Sequence, residues 1–396
     1  VGPRDPLAER TKNVNSKLIA ISDLHLGQYG ADGLGQYSLL STRSPRNLVQ
    51  QFARSAATFA DNKPTTLLVA GDFLDLSLAY AEDALTDLRE LVYSLGPLDE
   101  IVYVVGNHDH HLWSLHSEDK RLLASLREGL VPSNGSAPGA KALYQTTPVE
   151  GEPLGLLQPL IDRVFGSTAP RVTIAYPSYV RVLSSTTQLY VTHGHLFGGL
   201  YTELSDLLKI EIAGLPHDRA LATVNHPLIE FVYWLLGETG EGLGADGLVE
   251  VIYTDMQNGT LSHASRLVTR LVAQLLPRRG LLGYWERKLV ERAVIAELEK
   301  GLLSPPTAAS ASADRYAGLE TTREGLRAWL EAIDWPKHQT TIALHGHTHV
   351  WDDYAIPGTG VHAWNLSSWL VEPNHPWPRT GFLGIDGEVA RWIDVE

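Results

Sequence analysis

Thr65-Thr66-Leu67-Leu68-Val69-Ala70-Gly71-Asp72-Phe73-Leu74-Asp75 is the stretch on which the fold turns. Its first six residues are small, β-branched or apolar, show no helical period, and stop at Gly-Asp. That is the form of a strand buried on both faces, handing over to a polar loop. The same form recurs on either side. Upstream, residues 17–21 are β-rich and end at Ser22-Asp23-Leu24-His25; downstream, residues 100–105 end at Gly106-Asn107-His108-Asp109. Between these runs the pattern becomes helical. Ser44-Pro45 offers an N-cap and a first-turn proline ahead of Leu48, Phe52 and Phe59. Leu85, Leu88, Val92 and Leu95 then predict one apolar face of a second helix. A βαβαβ rhythm of this kind predicts a parallel sheet covered by helices. In such sheets functional groups gather beyond the carboxyl ends of the strands.

Asp23, Asp72 and Asn107 each occupy that position. Residues 188–192 and 340–344 repeat the arrangement, ahead of His193-Gly194-His195 and Gly346-His347-Thr348-His349. Five strand ends delivering ligand-type side chains to one edge are hard to explain as packing. With no cysteine in the chain, any cation there is held by nitrogen and oxygen. Two cations held close together need a bridging anion, which a carboxylate supplies best, together with mixed imidazole and oxygen ligands. Asp72 is the natural bridge. Asp23, His25 and His349 would complete one metal; Asn107, His193 and His347 would complete the other, with His195 as the alternative register for His193. A bridging hydroxide, formed from water shared by the metals, would attack phosphorus in line, and His108 would protonate the departing alkoxide. Mn, Fe, Zn, Co or Ni all suit these ligands.

The order Asp-x-His, Gly-Asp-x-x-Asp, Gly-Asn-His-Asp, a lone His-Gly and Gly-His-x-His resembles the calcineurin-like metallophosphoesterase superfamily. The matching segments are 17–110, 186–198 and 340–372. The resemblance implies an α/β fold, a two-sheet α/β/β/α sandwich of the metallo-dependent phosphatase type, and the ligand set given above. It also implies that Asp75 orients His108. Asn365-Leu366-Ser367-Ser368-Trp369 looks like the strand that follows Gly-His-x-His in that family, with Leu366-Ser367 where Thr-Gly is usual. The Ser/Thr protein phosphatase branch carries Arg-Gly after Gly-Asp-x-x-Asp and Glu after Gly-Asn-His. Leu76-Ser77 and Asp109 stand here instead. His108 likewise separates the chain from UDP-diacylglucosamine pyrophosphatases, which often have Arg at that place.

The motifs assign 1–199 and 336–396 to a catalytic domain. Residues 200–335 read as a mostly helical inserted cap, with apolar clusters at 228–236, 267–276 and 289–298 and a flexible Ser/Ala/Pro-rich loop at 304–318. His110, His111 and His195 are candidate substrate contacts, although a polar helix entrance at the site rim is the favoured account of the first two. His345 and Asp109 read as structural, and His217, His226, His263 and His338 as surface or capping residues. The formal charge of −14, from 32 basic and 46 acidic residues, and the lack of a basic stripe argue against long nucleic acids. No apolar run reaches membrane-spanning length and no signal core is visible, so a cytoplasmic protein is expected. The expected activity is hydrolysis of a phosphomonoester, phosphodiester or pyrophosphate bond in a small or lipid-linked substrate. The alternatives are a nuclease or cyclic-nucleotide phosphodiesterase, and a non-catalytic scaffold of the same fold. Oligomeric state is left open by the sequence.

Overall fold

The computed structural model describes residues 16–29, 35–77, 79–127, 150–155, 157–197, 222, 225, 226, 229, 230, 288, 308–336, 340–372 and 377–395. In chain order the elements are β1 (Lys17–Ile21), β2 (Tyr37–Ser38), α1 (Val49–Ala60), β3 (Thr65–Ala70), α2 (Ala81–Leu95) and β4 (Glu100–Val104). Next come α3 (His110–Arg127), β5 (Glu152–Pro153), α4 (Gln158–Phe165), β6 (Arg171–Ala175), β7 (Ser178–Val182) and β8 (Thr187–Thr192). The remainder is α5 (Ala308–Ala332), β9 (Thr340–His345), β10 (Trp351–Ala355), β11 (Val361–Leu366), β12 (Leu370–Val371), β13 (Gly381–Asp386) and β14 (Val389–Asp394).

Two sheets result. One has the order β14-β13-β1-β3-β4-β6-β5, the other β10-β11-β9-β8-β7. In the first, β1, β3, β4 and β6 run parallel, as the βαβαβ rhythm predicts. In the second, β8, β9 and β11 run parallel. Side chains alternate across each strand and so divide between two cores. Leu18, Ala20, Leu68, Ala70, Val102 and Val104 meet Leu189, Val191, Ile342 and Leu344 between the sheets. Ile19, Ile21, Leu67, Val69, Ile101 and Tyr103 face outward against Phe52, Phe59, Leu88, Leu91 and Val92 of α1 and α2. On the far side α5 covers the second sheet. Trp329 donates its indole N–H to the Tyr190 hydroxyl at 2.6 Å, and Arg323 forks onto both oxygens of Asp352 at 2.7 Å. The layers are therefore α/β/β/α, and among the described residues no helix is long and apolar enough to cross a membrane.

Local details depart from the sequence pattern. The Ser44-Pro45 start is displaced: α1 begins at Val49, whose N–H is accepted by the Asn47 side chain at 2.8 Å. Leu85 is exposed, and the buried stripe of α2 runs through Ala84, Leu88, Leu91 and Val92 instead. Residues 308–318, expected as a loop, are the first turns of α5. Alanine is the best helix former, and serine costs little beside it. That helix also lies within the predicted cap, yet Leu326, Trp329 and Leu330 belong to the main core. The apolar clusters at 267–276 and 289–298, His217, His263 and His338, and most of 200–307 lie outside the described residues.

Candidate metal centre

Five strand ends converge because both sheets direct parallel strands to one edge. β1, β3 and β4 are neighbours in the first sheet and carry Asp23 and His25, Asp72, and Asn107. β8 and β9 are neighbours in the second and carry His193 and the His347–His349 loop. Close approach of these loops needs glycine. A Cβ on Gly106 would lie 2.1 Å from Asp72 Oδ1, and one on Gly71 would lie 2.1 Å from His193 Nδ1. Asp23, His25, Asp72, His347 and His349 all have left-handed backbone, with φ of 51°, 46°, 47°, 73° and 59°. Each such residue costs roughly 1–3 kcal/mol and persists only where its surroundings over-determine it. Here the carboxylates do so: Asp23 accepts the His347 N–H at 3.1 Å, and Asp72 Oδ1 accepts the His108 N–H at 2.9 Å.

The imidazoles are aimed by their Nδ1 atoms. His25 Nδ1 lies 2.9 Å from Asp75 Oδ2, His193 Nδ1 lies 2.9 Å from the Ala70 carbonyl, and His349 Nδ1 lies 3.4 Å from Glu372 Oε2. With the Nδ1 proton donated to these oxygens, each Nε2 presents a lone pair. Those Nε2 atoms point at one another and at carboxylates. His25 Nε2 and His349 Nε2 are 3.3 Å apart, and Asp23 Oδ1 is 3.3 Å from His349 Nε2. His193 Nε2 lies 3.2 Å from Asp72 Oδ2 and 3.1 Å from Asn107 Oδ1. Asp23, His25 and His349 offer three donor atoms within 4.8 Å of one another, and Asp23, Asp72 and His193 do the same. Converging lone pairs from buried donors, each held by a further partner, are what cation sites require and what packing alone does not produce. The arrangement fits two cations, with Asp72 reaching both groups. His347 stands on the His193 side, with ring centroids 5.3 Å apart.

Charge is concentrated here with little access to water, His349 and His108 being partly exposed. Burial opposes ionisation of Asp72, but His193, His108 and His25 hold its carboxyl well below the usual range. Burial likewise opposes a charge on His193, yet Asp72 and Asp23 raise it to about 9. Glu372 and Asp23 outweigh burial at His349 and raise it to about 10. His347, lacking such a carboxylate contact, is pushed down to about 3 by burial. These directions describe a negative pocket that favours added positive charge.

Asp75 is fully buried and serves two rings. Besides His25 it approaches His108 Nδ1 at 3.2 Å, while Ser77 donates to its other oxygen at 2.9 Å and lies 2.6 Å from His108 Nδ1. Burial lowers the pKa of His108, but Asp75 and Asp72 more than offset this, so the net shift is upward. Asp109 has a structural role: its carboxylate accepts the Phe73 and Gly106 N–H groups at 2.7 and 2.8 Å and ties the β3 and β4 loops together. His345 reaches the Tyr354 hydroxyl at 2.9 Å.

The candidate substrate contacts divide. His111 is partly exposed, whereas His110 and His195 are each 1% exposed. His195 lies behind His193, with ring centroids 5.4 Å apart, and faces Tyr176. His110 Nδ1 lies 2.6 Å from Glu230 Oε1, so this buried ring does not stand at the rim expected for it. His226 is no surface residue either: it is buried against His110 and Trp113. Ser77, Glu230 and Glu372 escaped the sequence reading. Glu230 left a trace, as the single acid interrupting an apolar run four residues after a histidine. Glu372 left none.

The family model for calcineurin-like phosphoesterases matches residues 16–212. No curated protein matches the sequence. Among solved structures, a dimetal phosphatase from Danio rerio is similar at 13% identity, covering 96% of this chain and 99% of that one, with a TM-score of 0.34. A phosphopantetheinyl hydrolase from Mycobacterium tuberculosis is similar at 13% identity over 92% of this chain and 99% of that one, with a TM-score of 0.27. A sulfate thiohydrolase from Thermus thermophilus is similar at 10% identity over all of this chain and 58% of that one, with a TM-score of 0.31.

Proposed function

Residues 16–212 make this chain a member of the calcineurin-like phosphoesterase family, and on that premise we propose that it is a metal-dependent phosphoric ester hydrolase. Its proposed substrate is a small or lipid-linked molecule carrying a phosphomonoester, phosphodiester or pyrophosphate bond. The observation that carries this reading is the convergence of Asp23, His25, Asp72, Asn107, His193 and His349 donor atoms at one edge of both sheets, with three Nδ1 atoms already tied back. Asp23, His25 and His349 would hold one divalent cation, Asn107, His193 and His347 a second, and Asp72 both. Two such cations supply Lewis acidity, neutralising phosphoryl oxygens and acidifying water for attack on phosphorus.

The chain's own groups do the rest. His108, with Nδ1 engaged by Asp75 and Ser77, delivers a proton through Nε2 to the leaving oxygen. Asp75 positions both His108 and His25, so it couples proton delivery to the geometry of one cation site. His111, at the partly exposed start of α3, is the candidate that remains placed to meet substrate. The protein, stripped and reloaded with Mn, Fe, Zn, Co or Ni in turn, is assayed on alkyl phosphomonoesters, phosphodiesters and pyrophosphates, including lipid-linked ones. Hydrolysis that requires metal is expected. Asp72→Asn should lower it by more than the roughly 10–100-fold typical of losing an outer partner of a metal ligand. A metal-loaded protein inert on every class would overturn the reading in favour of a scaffold.

A further inference from the structure

Among the described residues, one further group of three ligand-type side chains lies outside the centre just described, at the start of α3. His110, His226 and Glu230 place one donor atom each within 4.8 Å of the others. Ala222, Asn225, His226 and Ile229 are helical, and Glu230 continues in a wider helical turn. His226 and Glu230 are thus four residues apart on one helical face, the spacing by which one helix offers two ligands to one ion. His110 comes from a different element and closes the set from the opposite side.

We propose that His110, His226 and Glu230 form a third metal site, distinct from the dinuclear centre and taking a single divalent transition cation such as Zn²⁺. Two imidazoles and one carboxylate are a three-ligand set suited to zinc, with the fourth position left for water. Three independent observations support it. His110 Nδ1 faces Glu230 Oε1 at 2.6 Å, the contact that a shared cation would replace, and the ring is 1% exposed. Glu230 is fixed from outside the ligand set, by His111 Nδ1 at 2.8 Å to Oε2 and Ser114 Oγ at 2.8 Å to Oε1, as outer partners fix a ligating carboxylate. Around the set lie Trp113 and Tyr176, with ring centroids 5.2 and 5.0 Å from His110, an apolar wall that strengthens any charge interaction within.

The site has a structural consequence. Glu230 and His226 belong to the stretch between the fourth and fifth motifs, whereas His110 immediately follows Gly-Asn-His-Asp. A cation there would pin that stretch to the edge of the catalytic sandwich, near His111. It carries no claim about the reaction at the dinuclear centre.

Metal stoichiometry on the full-length protein tests it. Protein dialysed against excess Zn²⁺ and then freed of loosely held ion is analysed for zinc per chain, in the wild type and in Glu230→Gln, His226→Ala and Asp72→Asn variants. Three equivalents are expected in the wild type and two in each of the first two variants. Glu230→Gln keeps the size of the side chain but turns one accepting oxygen into a donor, so an unchanged circular dichroism spectrum and melting point of the metal-free variant are required beside its loss of one ion. Loading with Co²⁺ and following its visible absorption gives a second readout, in which one of the bands should vanish with Glu230→Gln. Two equivalents in the wild type, or no loss in either variant, would overturn the third site. Asp72→Asn separates this from the dinuclear reading: loss of ions there with none lost at Glu230 leaves the centre standing and removes only the third site.

Discussion

A single carboxylate, Asp75, holds His25 with one contact and His108 with another, both through Oδ2. Asp75→Asn should therefore damage two functions at once. Losing an outer partner of a metal-ligating imidazole costs roughly 10–100-fold in affinity or activity, and the second effect is on pH dependence. His108 must be protonated to act as an acid, so activity falls as pH rises through its pKa. Asp75 raises that pKa, and without its charge the basic limb of kcat/KM should move to lower pH. A pH profile of the variant that shows only a vertical drop would assign Asp75 to His25 alone. His108→Ala is the companion experiment. General acids contribute roughly 10²–10⁴-fold, so alkyl esters, with poor leaving groups, should lose about that much. p-Nitrophenyl esters, whose leaving group needs little help, should lose far less; equal losses would remove the acid role.

At the scale of elements, the loops at the strand ends depend on glycines as much as on ligands. Gly106→Ala adds a Cβ that meets Asp72 Oδ1 at 2.1 Å, so the carboxylate must move or the β4 loop must. The expected outcome is a protein that folds with the wild-type circular dichroism but binds less metal, measured by metal content after dialysis. α5 supports the second sheet from behind. Trp329 is 3% exposed and bonds Tyr190 of β8, so Trp329→Ala should cost about 3–5 kcal/mol of stability, read as a lower denaturation midpoint. These elements were legible in the sequence to different degrees. β3, β4, β8 and β9 announce themselves, because strands covered on both faces are written as unbroken apolar runs that end at polar motifs. The beginning of α5 does not: Ala308-Ala309-Ser310-Ala311 has helix propensity but no apolar stripe, and the same composition also suits a loop. Ligands sit beside glycines and strand ends, where local chemistry marks them. Glu372, which aims His349, and Glu230, which pairs with His110, are joined to their partners only by tertiary packing. No spacing rule finds a lone carboxylate whose partner is more than a hundred residues away, as Glu230 is from His110.

For the molecule as a whole, the centre is an electrostatic debt that a cation relieves. Asp23 and Asp72 are buried at 0% and 1% exposure, and each raises the cost of charging the other. The chain around them is itself acidic, with a formal charge of −14. Histidines offset part of this in the bare protein, but only by taking up protons against their own desolvation, as His193 and His349 do. Divalent cations replace those protons with larger charge and coordinate lone pairs that the fold already aims. They bind the folded state and have no equivalent site in the unfolded chain, so they stabilise it by mass action, by about 4 kcal/mol at a free concentration one thousand times Kd. Thermal melting should therefore drop when a strong chelator is added, and recover on readdition of metal in excess. The size of the drop should shrink sharply in Asp72→Asn, which loses the group proposed to serve both cations while removing one of the two opposed buried charges. In chelator that variant should melt at or below the wild type, because His193, His108 and His25, which hold Asp72 ionised, lose its charge as a partner. A wild-type melting point unmoved by chelation, in protein shown to have lost its metal, would mean that the five strand ends are preorganised by packing alone.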